Sequence, residues 1–112
     1  MHFTESLKKN FQFRYVYNRG KSLANRYLVM YIVKTGKDSN QLGISVSKKV
    51  GNSVVRSRVT RLIRESYRLK EDTIQPGFNI VVIARSTANG ATYDDISKAL
   101  YHLLKKHNIM VL

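Results

Sequence analysis

The chain has 112 residues, 43% of them hydrophobic, so one domain spanning 1–112 with a modest core is expected. Twenty Lys and Arg stand against seven Asp and Glu for a formal charge of +13, a field that repels further copies and attracts nucleic acid or anionic membrane. The absence of cysteine excludes disulfides, thiolate metal sites and a cysteine nucleophile and suits a reducing, cytoplasmic setting, while no apolar run nears the ~20 residues that span a bilayer.

The N-terminus has no apolar run after its charges and does not read as a signal peptide. Residues 5–17 read as a helix ended by Asn18-Arg19-Gly20, where the glycine is expected to take the positive φ of a C-cap. Phe11, Phe13, Tyr15 and Tyr17 interleave here with Arg14 and Arg19. Phe13 and Tyr17, four apart, share a helix face. Two readings stand side by side for these rings: burial in the core, or stacking on unpaired bases at ~1–3 kcal/mol per base. For Phe11, burial is the expectation.

Residues 27–33 are a near-continuous apolar run rich in β-formers, and 42–47 alternate apolar with small or polar residues, so both read as strands. Between them 35–40 are a turn by composition, and an antiparallel hairpin is expected. Tyr27 and Tyr31, an even number of steps apart, share a face if the strand is regular. Beyond a basic segment, Pro76-Gly77 marks a turn and 79–84 a further strand. Thr92 then caps a last helix, with Asp94 and Asp95 in its first turn and Lys105, Lys106 and His107 near its end, as the helix dipole favours. The order α-β-β-α-β-α predicts an α+β fold, a two-layer sandwich of helices packed on a small mixed sheet.

The basic segment, residues 48–70, holds eight Lys and Arg and one acid, Glu65. Asn52 or Ser53 is the expected N-cap, with Gly51 easing the turn before it. At about 100° per residue, Val55, Val59, Leu62, Ile63, Ser66 and Leu69 fall in one arc that must face the core. Arg61, Arg64 and Arg68 gather opposite with Ser57, flanked by Arg56 and Thr60. Arg58 falls at the apolar border, where its stem can lie along the core edge. A helix that is merely solvated mixes charge signs, because Glu–Lys pairs stabilise it and like charges do not. Five arginines beside one Glu forgo that stabilisation, which favours a binding face. The planar fork of arginine matches phosphate oxygens in pairs and stacks on bases. Lys48 and Lys49 stand just before the helix start, where phosphate would also meet the dipole.

Catalytic patterns are missing. There is no Gly-rich nucleotide loop and no H-E-x-x-H. His2, His102 and His107 are scattered, with His102 expected on a helix surface or core edge. Asp94 and Asp95 are neighbours that point apart on a helix, and Glu65, Glu71 and Asp72 are expected to balance nearby bases. No catalytic residue and no metal site is expected in this chain.

The run Val46-Ser47-Lys48-Lys49-Val50-Gly51-Asn52-Ser53-Val54-Val55-Arg56-Ser57-Arg58-Val59-Thr60-Arg61-Leu62-Ile63-Arg64-Glu65 resembles the signature of the protein subunit of bacterial ribonuclease P. The likeness extends over nearly the whole chain, through Phe13 to Gly20, Ala24-Asn25-Arg26 and Ile83-Ala84-Arg85. Ser57 stands where the family usually has Asn in an Arg-Asn-Arg motif, and Thr60 where it has Lys. The resemblance implies an RNA-based endoribonuclease that removes the 5′ leader of precursor tRNA. Magnesium-dependent hydrolysis would belong to the RNA, and this chain would be a monomer in the holoenzyme, away from any membrane. It implies that Lys48, Lys49, Asn52, Arg56, Ser57, Arg58, Arg61, Arg64 and Arg68 face RNA, and that Phe13, Tyr17 and Tyr31 line a leader cleft. It also implies a left-handed crossover joining 42–47, the basic helix and 79–84, against the usual handedness. The alternatives are a non-catalytic basic RNA-binding protein such as a ribosomal protein, a helix-turn-helix DNA binder, or a membrane-surface peptide.

Overall fold

The computed structural model describes residues 4–111, so His2 lies outside the described residues. The elements in chain order are β1 (Thr4–Ser6), α1 (Asn10–Arg19), β2 (Lys21–Ala24), β3 (Leu28–Lys34), β4 (Asn40–Ser45), α2 (Ser53–Lys70), β5 (Phe78–Ala84) and α3 (Tyr93–Lys106). Short 3-10 turns at Glu71–Thr73 and Ser86–Ala88 flank β5.

The expected α+β sandwich of helices on a mixed sheet is present, with five strands in the order β1-β4-β5-β3-β2. β5 is central and buried from both faces, which is why it reads as a continuous apolar run. β3 alternates cleanly: Leu28, Met30 and Ile32 point to one core, Tyr31 and Val33 to the other. α2 and α3 cover the larger core with Val59, Ile63, Tyr67, Ile96, Leu100, Leu103 and Leu104. α1 covers the opposite face through a smaller core of Leu7, Val16 and Val81, so helices lie on both faces of the sheet and the layers number three where two were expected. Each fully buried aliphatic side chain contributes ~1.5–3 kcal/mol to holding these layers together.

Four local expectations are corrected. β3 and β4 are not a hairpin, because β5 lies between them, antiparallel to β3 and parallel to β4. Two adjacent parallel strands require a long crossover, and α2 supplies it. The N-terminal helix starts at Asn10 rather than near residue 5, because Thr4–Ser6 pair in parallel with Asn40–Leu42 as an edge strand. The Gln12 side chain then accepts from the backbone N–H groups of Lys8 and Lys9 at 3.1 and 3.0 Å, closing the helix start. β2 is a second edge strand missed by hydrophobic patterning, since its KSLA sequence is largely exposed and is held by pairing with β3. Gly20 ends α1 in extended backbone, φ −82°, not with a positive φ. It is glycine because a Cβ there would stand 2.5 Å from the Val16 carbonyl oxygen.

The last helix begins as expected. The Thr92 hydroxyl accepts from the Asp95 N–H and the Asp95 carboxylate from the Thr92 N–H, both at 3.0 Å. These bonds hold the Asp95 carboxyl below the usual range. At the other end the His107 ring, with Nε2 3.0 Å from the Met30 carbonyl, ties α3 to β3, and burial pushes its pKa down. His102 lies on the exposed side of α3, its Nδ1 3.1 Å from the Asn25 amide nitrogen.

Candidate nucleic-acid interface

The turn before α2 is built to present Lys48 and Lys49. Val50 is buried beneath it, the Val50 N–H donates to the Ser47 carbonyl, and the Asn89 amide donates to the Val50 carbonyl at 2.9 Å. Both lysines are left exposed. Gly51 is required by packing, since a Cβ would stand 2.8 Å from a Val55 methyl. Of the two possible caps, Asn52 is the one used: its side-chain oxygen accepts from the Val55 N–H at 3.0 Å. That oxygen serves the fold, which leaves the amide NH2 as the group Asn52 can offer to RNA.

Along α2, Val59, Ile63 and Ser66 are buried as their phase requires, with Val55 and Leu62 half-buried. Leu69 was expected in that arc and is 62% exposed, because the buried arc is rotated toward Tyr67, which is completely buried. The Tyr67 hydroxyl lies 2.9 Å from Thr4 Oγ1, tying α2 to the first strand. Burial, augmented by the charge of Glu71, raises its pKa. Glu71 is itself buried.

The opposite side of α2 carries Ser57, Arg61, Arg64 and Arg68 in the open, with Arg56, Arg58 and Thr60 half-buried along its margins. Ser53, Arg56, Ser57, Thr60 and Arg64 line a shallow hollow of about 350 Å³, in which guanidinium groups and hydroxyls could receive a phosphate together. Thr60 contributes no charge, and its hydroxyl donates back to the Arg56 carbonyl at 2.8 Å. Arg68 is not free: its Nε and Nη2 donate to the two Glu65 oxygens at 3.1 and 2.9 Å. The same bonds hold the Glu65 carboxyl below its usual range. Lys70 turns away from this face and donates to Ser97 Oγ at 2.7 Å.

The aromatics separate into three groups. Phe13, Tyr17 and Tyr31 come together, half-buried, with ring centroids 6.4 Å apart for Phe13–Tyr17 and 5.1 Å, edge to face, for Tyr17–Tyr31. All three rest on the smaller core. Tyr31, expected in the cleft, packs behind Tyr17 and does not line the neighbouring groove of about 460 Å³, whereas Phe13 and Tyr17 do, with Asn10, Arg14, Ile44 and Ser45. Burial and availability for stacking thus coexist in the same rings. Phe13 fits only because position 43 is glycine, where a Cβ would lie 2.7 Å from its ring. Phe11 is the reverse of its expectation, 62% exposed rather than core. Tyr27 precedes β3, packs against the larger core and has the Arg26 guanidinium 5.2 Å from its ring, so it does not join the Phe13–Tyr17–Tyr31 cluster.

Asn10, Arg14 and Ser45 are groove residues that sequence reasoning did not single out. Residues 10, 13, 14 and 17 share one helix face, so the period that grouped Phe13 with Tyr17 also pointed to the other two. The groove and the basic face of α2 lie on opposite sides of the sheet, joined where the chain leaves β4. Ser45 lines the groove, and two residues later Ser47-Lys48-Lys49 begins the basic turn. Among the described residues no cluster of His, Asp and Glu could hold a metal ion, and no helix is long and apolar enough to cross a membrane.

Comparison with known proteins gives a consistent result. The family model for ribonuclease P matches residues 1–108. The chain is 57% identical over 107 residues to the ribonuclease P protein component of Lachnoclostridium phytofermentans, covering 96% of this chain and 92% of the relative. It is 50% identical over 109 residues to that of Clostridioides difficile, covering 96% of each. The solved ribonuclease P protein of Staphylococcus aureus superposes with a TM-score of 0.86 at 40% identity, over 93% of this chain and 95% of that one. That of Thermotoga maritima gives 0.83 at 34% identity, over 91% and 96%.

Proposed function

This chain belongs to the ribonuclease P protein family, and from that premise we propose how its two surfaces divide the work of an RNA-based endoribonuclease. Its partner is the ribonuclease P RNA. The exposed arginines of α2, with Lys48 and Lys49, contact phosphates of that RNA and of precursor tRNA, and the groove bordered by Phe13 and Tyr17, which Tyr31 supports from behind, receives the single-stranded 5′ leader. The observation that carries the reading is the groove itself, lined by the Phe13 and Tyr17 rings, with Tyr31 packed edge to face behind Tyr17, and reaching Ser45 close in the chain to the basic turn. A generic phosphate-binding surface has no need of it.

The chemistry implied is hydrolysis of one phosphodiester bond, supported by magnesium ions bound to RNA. Among the described residues no cluster of His, Asp and Glu forms a ligand set for such an ion, and no step is assigned to a protein-bound metal. What this chain contributes is position and charge. Phe13 and Tyr17 stack leader bases, Arg14 neutralises a leader phosphate, and α2 lowers the repulsion between two RNAs brought close together. Each contact made only with leader-bearing substrate raises its affinity over the mature product. We read the chain as one RNA-binding unit, acting as a monomer within a cytoplasmic holoenzyme.

The test is reconstitution with a ribonuclease P RNA at low magnesium. Restored 5′ cleavage and tighter binding of precursor than of mature tRNA are expected. Equal affinity for the two substrates would refute the leader groove.

A further inference from the structure

α1 carries a second pair of rings that the leader groove does not use. Phe11 and Tyr15 are 62% and 45% exposed, four residues apart, and lie about 160° around the helix from Phe13 and Tyr17. Each has a cation over its face: Lys9 Nζ is 6.0 Å from the Phe11 centroid, and the Arg19 guanidinium is 5.2 Å from that of Tyr15. The two rings border a hollow of about 440 Å³ whose other wall includes Lys34, Lys37 and Gln41. None of the residues lining it is acidic.

This hollow and the leader groove flank α1 along the same strand. Phe13 crosses β4 at Gly43, with the leader groove opening at Ile44 and Ser45 and the second hollow at Gln41. Between them a smaller hollow rounds the start of α1, sharing Gln12 and Gln41 with the second and carrying Lys8 and Lys9; Glu5 is the one acid on that route. Asn10, next in the chain, lines the leader groove. An extended strand leaving the leader groove can thus pass around the helix start without leaving positive charge.

We propose that this second groove binds the more distal nucleotides of the 5′ leader, with bases stacked on Phe11 and Tyr15 and phosphates on Lys34 and Lys37. The inference rests on the leader reading above. Cations on both walls and over both rings favour single-stranded RNA over an apolar protein segment, which would bury those ammonium groups without partners.

The experiment compares wild-type holoenzyme with one carrying Phe11→Ala and Tyr15→Ala, binding precursor tRNAs with leaders of about 4 and about 16 nucleotides, the range of single-strand sites. The expected result is about a tenfold or greater loss of affinity for the long leader and none for the short one. A second protein, Lys34→Gln with Lys37→Gln, is expected to flatten the salt dependence for the long leader alone. Both pairs are exposed enough that melting of the variant proteins should match wild type, which is measured alongside. Equal losses on both leaders, or no loss on the long one, overturn the inference while leaving the wild-type preference for precursor intact. Loss of that preference in the wild type refutes the leader reading itself and this inference with it. An RNA-free dimer that the ring substitutions dissociate would make the surface a protein interface and equally overturn it.

Discussion

Gly43→Ala is the sharpest test of the leader groove, because it moves an aromatic ring without touching any charged or aromatic residue. Gly43 sits in β4 with no positive φ, so alanine meets no backbone strain there. The difficulty is space: the new methyl would stand 2.7 Å from Phe13 Cε1, 2.8 Å from Cζ and 3.2 Å from Leu7 Cδ1. Carbon contacts settle near ~3.5–4.0 Å, so the ring must retreat by roughly 1 Å. Overpacking of this kind costs ~1–3 kcal/mol. At about 4 °C per kcal/mol for a domain of this size, melting should fall by roughly 4–12 °C. The displaced ring no longer presents its stacking face, and one base–aromatic stack is worth ~1–3 kcal/mol, about 5- to 150-fold in affinity. The assay is competition between precursor and mature tRNA for reconstituted holoenzyme below the variant's melting point. Binding of precursor should weaken by that factor and binding of mature tRNA should not. Adding Phe13→Leu restores room beside residue 43, so it should recover stability without recovering leader affinity. A Gly43→Ala protein with undiminished precursor preference would refute the assignment of Phe13 to the leader, as would an equal loss with mature tRNA.

Three further outcomes follow from the geometry. Arg64→Ala, at an exposed position, should leave melting unchanged, weaken assembly with the ribonuclease P RNA and reduce the magnitude of the log–log salt slope by about 0.7–0.9; Arg68→Ala should do less, since Glu65 already occupies its fork. Tyr67→Phe should destabilise the fold by about 1 kcal/mol in chemical denaturation, because it leaves the buried Thr4 hydroxyl without its partner at 2.9 Å, and amide exchange at β1 should quicken. Burial depresses the pKa of His107 in the folded state, so below the unfolded value of about 6.5 the folded chain binds fewer protons than the unfolded one. That contribution is fully present above about pH 6.5 and is lost as pH falls toward and through the folded value. His107→Gln should therefore show a shallower loss of unfolding free energy between neutral and mildly acidic buffer.

The charge of the chain, the basic helix and its polar and apolar sides were legible from composition and helical period, because those depend on residue type and on 3.6 residues per turn alone. So were Thr92 as a cap and, to within one residue, Asn52, since a cap is a contact within three residues of chain. Even within α2, however, the period misplaced Leu69 and missed Tyr67, because the buried arc is set by what stands opposite the helix: the Thr4 hydroxyl from an edge strand far away in the chain. Strand order was likewise beyond the pattern. β3 and β4 look like a hairpin until β5 is placed between them, and β1 and β2 carry too few apolar residues to announce themselves, being held by backbone bonds to their neighbours. The sequence by itself favoured a polyanion as partner, through a charge of +13 and the basic residues gathered on one helix face, and through its signature it pointed to a ribonuclease P RNA. Which rings face solvent was decided only by tertiary packing. Phe11 and Phe13 are the same residue type two positions apart, and the difference between them is that Gly43, on a strand brought beneath α1 by the sheet, opens a seat for one and not for the other.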